Sequence, residues 1–273
     1  MGDSSVHPLV LIGVGSSFAL SGLFYRLYQK KKNELEKLKK IPVFQPDQHL
    51  LRVLKASPHQ RLQYVAVEGV VQADREPLAS RFVPQCFGVI QKITVEEHWK
   101  YWNSTTQSWN SRTVNRQETN NAVPFSLVRP GSFIADAYVK VQTPLEASGS
   151  YLERVHLRLR PAQEGVATLA LQGIGGEKPV AKQESEELLR VGTTLTGFGE
   201  VVLEGGAAMR LQAPQDGRSY ILVPGDHSSF MERHRRSASM WKTLTAAAGI
   251  TGASVLVGLV YGSLGKDDRP KRA

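Results

Sequence analysis

Residues 243–265 read TLTAAAGITGASVLVGLVYGSLG, a run with no charge between Lys242 and Lys266. A helix needs about 20 apolar residues to cross a bilayer, and this run is long enough. A shorter uncharged stretch, LVLIGVGSSFALSGLFY at residues 9–25, lies near the other end and is marginal in length. Between the two the chain is polar and globular in character. The pair predicts two short tails on one side of a membrane and one folded domain looped out on the other.

Each stretch has a competing reading. Leu9–Tyr25 has the length of a cleaved signal peptide, but Met1 to His7 holds Asp3 and no Lys or Arg. The basic charge follows at Arg26, Lys30, Lys31 and Lys32, the reverse of a secretory start. An anchor is the better reading. Val10-Leu11-Ile12-Gly13-Val14-Gly15 imitates the opening of a dinucleotide site. Phe18 stands at the third glycine position and a Lys-rich run replaces the second strand, so that reading fails. Thr243–Gly265 would also suit a buried core helix. Its place near the chain end, flanked by Arg235, Arg236, Lys242 and Lys266, favours a span.

Composition bounds the middle. The 273 residues are 41% hydrophobic, enough for one ordinary domain plus two spans. Much of the net charge of +9 sits in Arg26–Lys40 and Arg233–Lys242. Basic runs beside a span suit anionic lipid and orientation. Nucleic acid is not an expected partner, because no aromatic-interleaved basic strand or groove-reading helix stands out. One cysteine, Cys86, excludes an internal disulfide framework and a Cys-rich zinc site.

The pattern predicts an α+β protein, a mostly antiparallel β domain with a few helices inserted between two transmembrane helices. A tail and first span cover 1–28. A basic helical linker and a short amphipathic helix cover 29–62, with Pro42 and Pro46 as breaks and Asp47 as cap for Leu50, Leu51 and Leu54. The β domain covers 63–225, a basic juxtamembrane helix 226–242, the second span 243–265 and a tail 266–273. Strands are expected at Tyr64–Val71, Gly88–Val95, Tyr138–Val141, Ala167–Leu171, Thr194–Leu203, Met209–Gln212 and Tyr220–Val223. Turns are expected at Arg129-Pro130-Gly131, Gly173–Gly176 and Gly205-Gly206. Lys182–Arg190 reads as a helix with Leu188 and Leu189 turned inward.

Catalytic patterns are scarce. The seven histidines form no His-x-x-x-His or His-Cys grouping, so no metal or other cofactor is expected. Gly173-x-Gly175-Gly176 lacks the ending of a phosphate loop, and no Gly-x-Ser-x-Gly occurs. Glu96-Glu97-His98 would serve acid–base chemistry only if the fold gathered it, and solvated charges beside a half-buried histidine is the simpler reading. The chain reads as a non-enzyme.

The most distinctive stretch is His98–Trp109, holding Trp99, Tyr101, Trp102 and Trp109, followed by Arg112 and Arg116. Aromatics beside Arg dominate protein-binding hot spots, which makes Trp99, Trp102, Trp109, Arg112 and Arg116 candidates for partner contact. The competing reading is a β-hairpin whose aromatics pair across strands and pack on the core. It accounts for two of the three tryptophans. Asn103-Ser104-Thr105 is an acceptor sequon that matters only in a secretory lumen. In the second span Gly249-x-x-x-Ala253 and Gly258-x-x-x-Gly262 form small faces suited to helix packing.

Several motifs occur together and in order: Cys86-x-Gly88-Val89-Ile90-Gln91, Glu97-His98, Trp102-Asn103-x-Thr105-Thr106, Trp109-Asn110 and Val123-Pro124-Phe125. Gly176-Glu177-Lys178-Pro179 and Leu189-x-Val191-Gly192-x-Thr194-Leu195-Thr196-Gly197 follow. Over most of its length the chain resembles the Mulan family of mitochondrial-anchored ubiquitin and SUMO ligases. The resemblance implies a GIDE, or beside-a-membrane, domain between two outer-membrane helices, facing the intermembrane space and taking part in substrate recognition. It also implies a cytosolic RING after the second helix. Lys266–Ala273 contains no Cys or His, and a RING needs two zinc sites built from them. The expectation is a paralogue or variant that keeps anchor and recognition domain without the catalytic module.

Such a chain would bind the family's substrates and compete with the ligase, or pair with the full-length ligase through the membrane helices, in apoptosis and mitochondrial organisation. The implied protein partners include mitofusin, a survival kinase and a tumour-suppressor transcription factor with an acidic activation segment. A basic domain with exposed aromatics suits an acidic amphipathic peptide. Basic residues crowd the loop side of both spans and also the C-terminal tail. The positive-inside rule would then put the domain in the cytosol, whereas the resemblance puts it in the intermembrane space. Two other function classes stay open: a structural tether or scaffold without substrate binding, and a hydrolase or transferase acting through Glu97 and His98.

Overall fold

The structure is a computed structural model that describes residues 8–131, 137–162, 177–206 and 208–264. The expected strand at Ala167–Leu171 and the Gly173–Gly176 turn lie outside the described residues. The chain divides into two units, residues 1–41 with 228–273, and Pro42–His227.

The first unit is a pair of long helices, α1 (Pro8–Lys39) and the body of α3 (His227–Leu264). They run antiparallel, because Ser17 Oγ donates to the Ala248 carbonyl at 2.7 Å and Ser21 Oγ to that of Thr245 at 3.1 Å. Phe24 and Trp241 meet further along the pair, ring centres 5.8 Å apart. By length and composition α3 is able to cross a membrane.

The second unit opens with β1 (Val43–Phe44) and α2 (Gln48–Ala56). The Asp47 side chain accepts from the Leu50 amide at 2.9 Å, satisfying a free donor of the first turn. Leu50 and Leu54, one helical turn apart, are fully buried. Then follow β2 (Arg61–Ala73), β3 (Leu78–Ala79), β4 (Phe87–Asn103), β5 (Ser108–Ala122), β6 (Phe125–Val128) and β7 (Tyr138–Val141). The remainder are β8 (Glu153–Pro161), β9 (Glu177–Arg190), β10 (Thr194–Glu204), β11 (Ala208–Gln212) and β12 (Ile221–Pro224).

Five of these strands close on themselves. β2 pairs β6, β6 pairs β7, β7 pairs β11, β11 pairs β10, and β10 returns to β2. Taken in chain order the ring runs 1-2-3-5-4-1, and its one parallel contact is β7 with β11. This is the connectivity of the five-stranded Greek-key barrel known as the OB fold. Inward positions alternate along each strand: Val65, Val67 and Val71; Phe125 and Leu127; Val139 and Val141; Met209 and Leu211. Leu50 and Leu54 join the same core. Closure needs β10 to bend, and a bulge falls between Gly199 and Val201. A Cβ on Gly199 would lie 2.6 Å from the Gln212 carbonyl oxygen, so the close approach of β11 requires glycine there.

Two long excursions leave the barrel, β3–β5 before β6 and β8–β9 before β10. They meet through the β4–β9 ladder in a second antiparallel sheet, with β5 and β8 on its outer sides. Here one expectation is overturned. Lys182–Arg190 is not a helix but part of strand β9. Its composition favours helix, but β4 and β8 hydrogen-bond it from both sides, and tertiary pairing overrides local propensity. Leu188 and Leu189 are both buried, yet from opposite faces of the strand: Leu189 enters the barrel core and Leu188 does not.

Candidate interaction ribbon and family membership

The functional candidates fall on the outer part of the second sheet. β4 and β5 continue past the barrel as a hairpin ribbon, flanked by β9 as far as Tyr101, whose register pairs Trp102 with Trp109, Trp99 with Arg112 and Tyr101 with Asn110. Directly opposed residues share a sheet face and successive residues alternate. The aromatic stretch is therefore split in two. Trp102 and Trp109 form an edge-to-face pair, centroids 5.6 Å apart, and remain 47% and 48% exposed. On the opposite face lie Trp99, Tyr101 and Arg112, with Pro179 of β9 opposite Trp99 and Glu177 opposite Tyr101. Arg112 reaches Glu177 as an ion pair and lies 6.0 Å from the Tyr101 ring centre. Trp99 is half-buried, and its indole N–H is enclosed with no hydrogen-bond partner among the described residues.

Arg116 belongs elsewhere. It lies at the register shift in the β4–β5 ladder and bonds Glu96 at 3.4 Å and Glu118 at 3.2 Å. The structure thus brings together Trp102 with Trp109, and Trp99 with Arg112, and leaves Arg116 with a separate acidic pair. At the ribbon tip Asn103 Oδ1 accepts from the amides of Thr105 and Thr106 at 3.0 and 3.3 Å, folding the loop on itself.

Glu97 and His98 do not converge. Neighbours on a strand point to opposite faces: Glu97 accepts from Asn115 Nδ2 at 2.9 Å, while His98 Nε2 lies 3.4 Å from Gln183 Oε1. Among the described residues, no three His, Cys, Asp or Glu side chains are grouped to hold a metal.

A residue that the sequence did not single out organises the base of this sheet. Glu186 of β9 has no exposed surface. Its carboxylate accepts from Ser80 Oγ at 2.6 Å, Gln91 Nε2 at 2.6 Å and the amides of Arg81 and Phe82 at 2.9 and 3.3 Å. Burial works to raise its pKa, and the bonds from Ser80, Arg81, Gln91 and Phe82 outweigh it, so the carboxyl lies below its ordinary range. Beside this clamp, Phe82 stacks on His156 at 4.4 Å. Helical propensity around Glu186 hid it: in a helix it would have been one more solvated charge.

Among the membrane candidates, Gly249 faces Ser21, where a Cβ would meet the hydroxyl at 3.4 Å. Gly252, which the spacing missed, sits against Ser17 and Phe18. Ala253 is exposed, Gly258 has nothing within 4 Å of an added Cβ, and Gly262 lies in the last turn of α3.

The chain thus combines an OB-type barrel, an exposed aromatic pair and a following helix long and apolar enough to cross a membrane. The comparisons give the family. The GIDE profile, described as E3 ubiquitin ligase, matches residues 94–258, which takes in the ribbon, β8 to β12 and most of α3. A zebrafish (Danio rerio) relative, mitochondrial ubiquitin ligase activator of nfkb 1-A, is 38% identical over 91% of this chain and 72% of its own. The human (Homo sapiens) mitochondrial ubiquitin ligase activator of NFKB 1 is 34% identical over 93% of this chain and 71% of its own. A Drosophila melanogaster relative, mitochondrial E3 ubiquitin protein ligase 1, is 27% identical over 79% and 61%. The chain belongs to this mitochondrial ubiquitin ligase (GIDE) family. No solved structure matches it.

Proposed function

We propose that this protein is a non-catalytic, membrane-anchored recognition module of the mitochondrial ubiquitin ligase family. It binds ligase substrates and competes with, or modulates, the RING-bearing ligase in apoptosis and mitochondrial dynamics. The observation that carries the reading is the Trp102–Trp109 pair, about half exposed on a ribbon that projects past the barrel core. Large aromatics at that exposure are the residue type that anchors protein partners. Partners of matching chemistry are acidic amphipathic segments, such as the activation region of the tumour-suppressor transcription factor, or mitofusin.

The anchor in this reading is a two-pass hairpin of α1 and α3 in the mitochondrial outer membrane, with Pro42–His227 in the intermembrane space. Hydroxyl-to-carbonyl bonds from Ser17 and Ser21 suit two helices meeting in hydrocarbon, where polar groups need internal partners. Protease treatment of intact mitochondria tests the topology: an intermembrane-space domain survives, a cytosolic one is digested.

Function is tested by reconstituting substrate ubiquitination by the full-length family ligase and titrating in this protein. A dose-dependent fall that is weakened by Trp102→Ala with Trp109→Ala is the expected result. No change at saturation transfers the weight to a structural tether or scaffold.

A further inference from the structure

We infer that the outer edge of β8 (Glu153–Pro161) is a docking edge for an extended protein segment of alternating acidic and apolar residues, added as a further strand. The inference rests on the recognition reading above and names a second contact surface for it.

β8 pairs β9 on one side and no strand on the other among the described residues. Such an edge offers free N–H and C=O groups to an incoming strand. Its side chains are sorted by face. Leu157 and Leu159 project from one face and are 53% and 61% exposed. Their partners in register are Ser185 and Gln183, so β9 supplies no apolar surface to cover them. Arg158 and Arg160 project from the other face, opposite Glu184 and Lys182. Arg160 has a loose ion pair with Glu184 at 3.5 Å, and Arg158 makes none among the described residues.

Charge decides the occupant. A second copy of this chain pairing edge to edge would bring Arg158 and Arg160 against their own equivalents, and like charges across a strand pair are destabilising. A strand alternating acidic and apolar residues meets both requirements at once. Its carboxylates fall beside the arginines and its apolar residues beside Leu157 and Leu159, because the period of two keeps each set on one face. An amphipathic helix presents its charges at a different period and cannot use the free backbone groups.

The test uses the full chain in lipid nanodiscs and three labelled peptides read by fluorescence anisotropy. One alternates Asp or Glu with Val or Leu, one rearranges that composition to a helical period, and one replaces the acids with Lys. The alternating acidic peptide should bind, and slow amide exchange should appear along β8. Arg158→Glu with Arg160→Glu should weaken it by about tenfold or more, as for close charge pairs at interfaces. Arg158→Gln with Arg160→Gln keeps the test informative where charge reversal disturbs β8 itself. Trp102→Ala with Trp109→Ala removes the other contact surface, and in that background the loss caused by the Arg158 and Arg160 substitutions should persist.

Equal or tighter binding of the helical-period peptide overturns the inference, as does indifference to both arginine variants. If binding is instead lost in the tryptophan variant, the edge assignment falls and the recognition reading stands. Peptide held at β8 without any effect on substrate ubiquitination keeps the edge and removes the competitive role.

Discussion

Along β4 the same strand passes through two environments. From Gly88 to Gln91 every residue is buried, from Val95 to Trp99 the residues are half-buried, and Trp102 is open to solvent. At the inner end Val89 and Ile90 pack into the apolar core where alternate side chains of the five barrel strands meet. The outer end belongs to a sheet with polar residues on both faces, crossed by ion pairs such as Lys92–Glu118 and Arg116–Glu96. Exposed pairs of that kind contribute little each. The outer sheet is therefore held by its backbone ladders, its cross-strand aromatics and the Glu186 clamp at its base. The buried apolar side chains are concentrated in the barrel, and the exposed aromatic pair lies where few are buried.

That division can be broken by substitutions of falling effect. Leu211→Ala removes a fully buried barrel side chain and should cost about 2–5 kcal/mol, read as a lower denaturant midpoint of the whole domain. A loss confined to the ribbon would refute the division. Glu186→Gln replaces a charged acceptor of four hydrogen bonds and should cost about 1–3 kcal/mol. Its signature is faster amide exchange at Arg81 and Phe82 while the barrel amides stay protected.

Glu186 also gives a pH dependence whose sign is fixed. Its folded pKa is lowered, so its contribution is present above the ordinary carboxylate range and is lost as pH falls through the folded value. The wild-type midpoint should drop on acidification by more than that of Glu186→Gln. Parallel curves would show that the clamp stores no such linkage.

Trp102→Ala should cost about 0.5–1.5 kcal/mol of local ribbon stability, seen as faster exchange near the tip with the global midpoint unmoved. Leu159→Ala, at an exposed edge position, should stay within about 0.5 kcal/mol. If it destabilises the domain as Leu211→Ala does, then β8 is covered in the free protein and the docking edge is lost with it.

Much of this architecture was legible without coordinates. Asp47 three residues before Leu50 announced the α2 cap, because capping is a local exchange of one side-chain oxygen for one free amide. The β-branched alternation of Tyr64–Val71 announced β2, and residues 243–265 announced an apolar helix by length alone. The aromatic stretch was legible as a hairpin. Its division into two faces follows from the register that pairs Trp102 with Trp109, which depends on where the turn falls.

The sequence by itself thus determined what depends on neighbours in the chain: caps, periodicities, a long apolar helix, and the family motifs. Tertiary structure alone decided what depends on distant pairing. It made Lys182–Arg190 a strand, since β4 and β8 hydrogen-bond it from both sides. It closed β2 on β10 through a bend at Gly199, and it set Gly252 rather than Ala253 against α1. It also turned Glu186 from one charge among several into a buried clamp. In each case the deciding partner lies far away in sequence, and local propensity carries no information about a contact that only the folded chain makes.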